Sequence, residues 1–171
     1  MPGEVGKERQ HKMNDCSVDT SGMASIESIE GDSADDTNLL REMATEASQF
    51  ICAKEWCESV DRQYLAYGVG GVVAVFLFRI TPRFEDVDNW LWVIVGDLPP
   101  AYIVVEDNPT AADALDAYCS LMEEWVEAVQ EGQSVEELIP VNAPATSENA
   151  EQLGRRIKFL RTEILPLAGA H

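Results

Sequence analysis

Histidine is almost missing from this sequence: His11 and His171 are the only two, one near each end. A Ser-His-Asp or Cys-His apparatus needs an imidazole beside its nucleophile, so no such catalytic residues are expected. Cysteine is sparse as well, at Cys16, Cys52, Cys57 and Cys119. Cys52 and Cys57 are five residues apart, which is not a metal-knuckle spacing, and on a helix their side chains would diverge by about 140°. Neither a disulfide framework nor a zinc site is expected, and no cofactor motif stands out. Reduced, buried thiols in a cytosolic protein are the expectation.

Positive charge is missing from the middle of the chain. No Lys or Arg lies between Arg83 and Arg155, while sixteen Asp and Glu do. The whole chain carries a net charge of -19, divided as -6 over residues 1–36 and -13 over residues 37–171. Such a field repels phosphate, which argues against nucleic-acid binding and against docking on anionic membranes. A basic protein partner, a cation, adaptation to high salt or plain solubility remain.

Long apolar runs are absent too. The longest uncharged stretch, residues 63–78, is interrupted by Gly68, Gly70 and Gly71 and is too short to span a bilayer. The first fifteen residues contain no apolar core, so no signal peptide is expected and the cytoplasm is the expected compartment.

What is present reads as one domain with an extension. Residues 1–36, rich in Ser, Asp, Gly and Glu, read as a disordered acidic tail. A helix is expected to start at Asp36 or Thr37, either of which could cap it. Its stripe runs through Leu40, Met43, Ala47, Phe50, Cys57 and Tyr64, with a stop at Gly68. Three strands follow, at residues 72–80, 90–95 and 101–105, being β-branched, aromatic and apolar on both alternating faces. Their connections are too short for helical crossovers, so they should be antiparallel. Thr110 with Asp113 forms a capping-box pattern before a helix with the stripe Leu115, Tyr118, Met122, Trp125 and Val129, ended by Gly132. A final helix spans about residues 146–165, with Ala150, Leu153, Ile157, Leu160 and Ile164 inward. Arg155, Arg156, Lys158 and Arg161 lie on its polar side and are expected to pair with the acidic helix. The sum is an α+β fold in the order helix-β-β-β-helices: a three-stranded antiparallel meander packed by helices.

Residues 90–105 read WLWVIVGDLPPAYIVV, two apolar runs around a five-residue break. Turn chemistry accounts for the break: Gly96 permits positive φ, Asp97 bonds nearby backbone, and Pro99 extends Leu98. A binding reading runs beside it, in which Trp90 and Trp92, two apart on one strand face, form an aromatic surface joined by Gly96, Asp97, Leu98, Pro99 and Tyr102. Core packing is the alternative for the tryptophans, and Tyr102 fits either face. Asp116, Glu123, Glu127 and Glu131 make an acidic face on the capped helix. Glu85, Asp86 and Asp88 read as a solvated turn rather than a metal site. An alternative reading gathers them with Asp97 in a carboxylate enzyme, with Mg²⁺ as its candidate cofactor. Gly68-x-Gly70-Gly71 precedes a strand, so it reads as a flexible connection and not as a phosphate loop.

The run Trp92-Val93-Ile94-Val95-Gly96-Asp97-Leu98-Pro99, followed by Tyr102-Ile103, resembles a family of small bacterial proteins of unknown function. In that family a W-V-x-x-G-D-L-P pattern precedes an extended segment and a helix. Trp56, Arg62, Tyr64 and Leu65 are similar to its upstream W…R…Y-L pattern on a helix. The resemblance covers about residues 56–125. It implies a bacterial origin and an α+β domain and supplies no activity. The functional expectation is a non-enzymatic, cytosolic acidic binding or regulatory domain, of which an inhibitor- or immunity-type protein covering a basic partner is one instance. A structural homodimer is the third reading.

Overall fold

The computed structural model describes residues 18–169. Its α+β fold holds a five-stranded antiparallel sheet: β1 (Ala24–Ser25), β2 (Cys57–Val69), β3 (Val73–Pro82), β4 (Trp90–Gly96) and β5 (Leu98–Val104), in that spatial order. α1 (Ala34–Cys52) packs on one face. On the other lie α2 (Ala111–Gln130) and α3 (Ser147–Phe159). A π-helical turn, Leu160–Ile164, carries α3 into a last short helix, α4 (Leu165–Ala168).

The strand pleat sorts the core into two. Val75 and Leu77 of β3, Trp92 and Ile94 of β4 and Ile103 of β5 face α2 and α3. Phe76, Phe78, Val93 and Val95 face α1. Residues 73–78 are wholly buried, so β3 has no solvent face. This explains its unbroken apolar sequence: it is a central strand covered on both sides, here in an antiparallel sheet.

Two expectations are corrected, and together they turn the expected three-stranded meander into a five-stranded one, whose last strand also starts at Leu98 rather than at residue 101. Residues 57–69 are strand rather than the second half of α1. Three register irregularities, between Cys57 and Ser59, Val60 and Arg62, and Leu65 and Tyr67, break the two-residue alternation of this strand. Cys57 and Tyr64 are seven apart and so continued the helical stripe by coincidence. The W…R…Y-L residues Trp56, Arg62, Tyr64 and Leu65 therefore lie at or in β2 rather than on a helix. Gly68 ends no helix: a Cβ there would sit 2.7 Å from Leu40 Cδ2, so glycine lets α1 settle on the sheet.

The second correction concerns residues 18–36, assigned to the tail. Ala24 and Ser25 pair with Leu65 and Tyr64, a 3₁₀ turn spans Ile26–Ser28, and Ile29 is buried in the α1-side core. Met23, Ile26 and Ile29 are a few apolar anchors that the polar average of the segment conceals. The rest of the expected tail, residues 1–17, lies outside the described residues.

Helix capping follows local chemistry. Ser33, three residues before the expected position, caps α1 by accepting from Asp36 N–H. The Asp36 carboxylate accepts instead from the backbone N–H of Asp32 and of Gly70 at 2.9 and 2.8 Å, which ties the β2–β3 turn to the start of α1. Thr110 and Asp113 form the full capping box of α2. Gly132, at φ +72°, closes that helix: its N–H donates to Val129 O while Gln133 N–H donates to Ala128 O.

Gly96 is the more crowded of the two strand glycines Gly68 and Gly96. Its φ is +151°, and a Cβ would lie 2.3 Å from Val72 O. Gly96→Ala is expected to lose about 3 kcal/mol in urea unfolding, because both backbone strain and overlap oppose it. Tyr118→Phe removes the buried hydroxyl that donates to Pro99 O at 2.6 Å, and about 1–2 kcal/mol is expected to go with it. A Gly96→Ala protein as stable as the parent would contradict this turn geometry.

Candidate functional site

Two surfaces stand out once the elements are placed. The first is a groove of about 550 Å³ where the β2–β3 and β4–β5 turns meet α3. Val72, Leu98 and Leu160 give it an apolar lining, and Gln152, Arg155, Arg156 and Phe159 stand along its α3 side. Asp97 joins them from the β4–β5 turn. Its N–H donates to Val72 O at 3.1 Å, so Asp97 holds the two turns together. Arg156 Nε donates to Asp97 Oδ2 at 3.2 Å, which docks α3 against the turn. Both side chains are well exposed, so this pair contributes about 0–1 kcal/mol.

The expected five-residue break shrinks to a turn at Asp97, since Leu98, Pro99 and Pro100 already belong to β5, and this turn forms one wall of the groove. Gly96 makes the turn possible, and Asp97 and Leu98 line the groove. Pro99 does not line it, and its carbonyl anchors the Tyr118 hydroxyl. Tyr118 is pushed well above the usual tyrosine range by burial, so it stays protonated as a donor. Its neighbour Cys119 is raised from 9.0 to about 11, chiefly by burial, which keeps it an unreactive thiol at neutral pH. Cys57 is also buried and raised, while Cys52 is exposed rather than buried as expected.

The structure does not bring the tryptophans to this groove. Trp92 is fully buried between β4 and α2, and its Nε1 donates to Asn108 O at 2.7 Å. Trp90 is buried on the same side, its Nε1 without a hydrogen-bond acceptor among the described residues. The two rings are core, so the proposed aromatic surface does not exist. Tyr102 lies on the opposite face, edge-on to Trp56 at 5.1 Å between ring centroids, with the Lys54 ammonium 5.9 Å from its ring.

The second surface is the acidic side of α2, which divides in half. Asp116 and Glu123 are clasped by Arg161 from the π-helical turn. Arg161 Nη1 donates to Asp116 at 2.7 Å, while Nε and Nη2 donate to the two Glu123 oxygens at 2.7 and 3.0 Å. Nη2 also donates to Ser120 Oγ at 2.9 Å. This fork is the geometry in which an arginine–carboxylate pair is strongest, and it raises the Arg161 pKa further. Glu127 and Glu131 are exposed beyond its reach, with Glu124, Glu136 and Glu137 beside them in the sequence. Among the described residues no cation pairs with any of these five.

Among the described residues the expected pairing of the last helix with α2 thus rests on Arg161 alone. Arg156 turns to Asp97, and Arg155 stays on its own helix, 3.8 Å from Glu151. The link with Glu85, Asp86 and Asp88 enters β4 at the end opposite Asp97, about 20 Å away along a seven-residue strand. Those carboxylates cannot share a pocket with Asp97. Among the described residues the side-chain partner of Asp97 is the Arg156 guanidinium, and no second carboxylate is paired with it there.

Sequence reading missed Gln152, Arg155, Arg156 and Phe159 as groove residues. One signal was present: Phe159 falls outside the inward stripe of its helix and is 47% exposed. Neither a protein-family model, nor a curated protein, nor a solved structure matches the chain.

Arg161→Gln is expected to lower stability by about 1–2 kcal/mol, since it uncouples α2 from the π-helical turn. Arg155→Gln, at a loose exposed pair, should stay within about 0.5 kcal/mol of the parent. Paired urea titrations check this, and equal effects at the two positions would contradict the account.

Proposed function

We propose that the chain is a cytosolic binding or regulatory domain, not an enzyme. It docks a basic protein partner through the C-terminal half of α2 and the loop that follows. The observation that carries this reading is the run of exposed carboxylates at Glu124, Glu127, Glu131, Glu136 and Glu137, which no cation neutralises among the described residues. Acidic groups near a helix C-terminus oppose the macrodipole, each at about 0.3–1 kcal/mol. A helix shaped for stability alone would place lysine or arginine there, and the last turn of α2 has no base. A dense negative patch suits fast, steered association with a positively charged surface. An inhibitor or immunity-type protein that covers a basic active site is one form such a partnership takes. Buried thiols in place of disulfides at Cys57 and Cys119 support the cytosolic setting.

The test is affinity capture from native cell extract at low salt, with the parent and a Glu127→Lys/Glu131→Lys variant as baits. The parent should retain a basic protein that leaves at about 1 M salt, where the Debye length falls to about 3 Å. The variant should retain none of it. Identical captures by both baits, or no basic protein on either, would overturn the reading.

A further inference from the structure

The groove beside Asp97 is chemically unlike the rest of this acidic surface. Arg155 and Arg156 both line it, although the chain as a whole carries -19. Their donors are largely unspent. Arg156 gives only Nε to Asp97, which leaves its terminal nitrogens without a protein acceptor among the described residues. The Nη1 of Arg155 is 3.8 Å from the Glu151 carboxylate, too far for a hydrogen bond. The Gln152 side chain, also at the rim, makes no hydrogen bond within the described residues. Across from α3 the wall is Val72 and Leu98, and the α3 side itself adds Leu160 and the exposed ring of Phe159.

We propose that this groove is a binding site for a small carboxylate with an apolar, preferably aromatic, body. The carboxylate meets the free guanidinium donors of Arg155 and Arg156, a fork geometry suited to planar anions. The apolar body lies on Leu98, Val72 and Phe159 and covers surface that is otherwise wet. The volume, about 550 Å³, lies in the range of small-molecule pockets. The Asp97–Arg156 pair holds Arg156 in place and, by its negative charge, limits the site to one anionic group. The inference does not depend on the acidic end of α2, because different residues carry it.

The experiment is a titration of ¹⁵N-labelled protein, followed by amide shifts, with 3-phenylpropionate, its uncharged amide and acetate. The expected result is saturable shifts from 3-phenylpropionate confined to residues 70–72, 96–98 and 152–160. The amide and acetate should each bind at least about tenfold more weakly, which corresponds to one lost charge-assisted or apolar contact. Arg155→Gln/Arg156→Gln and, separately, Phe159→Ser should each weaken 3-phenylpropionate by about tenfold while the remaining spectrum keeps the parent pattern. Equal binding of acid and amide, shifts elsewhere, or no saturable shift at millimolar concentration would each overturn the proposal. Should one variant lose the folded spectrum, the other variant and the three-ligand comparison on the parent still decide.

Discussion

The pairing of β3 with β4 is the constraint from which the rest of the structure follows. Residues 73–78 of β3 and 91–95 of β4 are buried on both sides of the sheet. A sheet with no wet face needs a cover on each side, and one helix cannot supply both. α1 covers Phe76, Phe78, Val93 and Val95, while α2 and α3 cover Val75, Leu77, Trp92 and Ile94. The layer order, the close glycine contacts and the amphipathic stripes of three helices all serve that enclosure. Gly68 lets α1 approach one side, and Gly96 lets the β4–β5 turn fold against Val72.

Enclosure of apolar strands also decides where the charge goes. Among the described residues no charged side chain counts among the buried core residues, and the core's polar atoms include those of Tyr118, Trp90 and Trp92. The acids are thus forced onto helix surfaces and links, and the few bases become valuable ties. Arg161 joins the π-helical turn to α2 through Asp116 and Glu123, and Arg156 joins α3 to the β4–β5 turn through Asp97. What these ties leave over is an unneutralised acidic end of α2 and a groove with unspent arginine donors, the two surfaces on which the proposals rest.

Much of this was legible from sequence because it is periodic. The antiparallel order of β3, β4 and β5, the capping box at Thr110 and Asp113, and the Gly132 terminus of α2 follow from local rules. β2 was not legible, because its bulges erase the alternation that marks a strand. β1 is only two residues long and borrows its order from β2, which no local pattern reveals. The candidate site was half legible. Gly96, Asp97 and Leu98 stood out as a break between strands, but Arg155, Arg156 and Phe159 are more than fifty residues away and meet them only through tertiary packing. For Trp90 and Trp92 a shared strand face was readable, and of the two readings weighed for it the core packing is the one realised, with α2 as the cover.

Native-state hydrogen exchange across a urea series tests the central claim most directly. If the doubly covered strand pair is what everything else leans on, amides of Phe76, Leu77, Trp92 and Val93 exchange last, only through global unfolding, with the full denaturant slope. Amides of α3 and α4, packed on one side, should open earlier by smaller events. Strand amides that exchange by local fluctuation, with little denaturant dependence, while α3 stays protected would contradict the account.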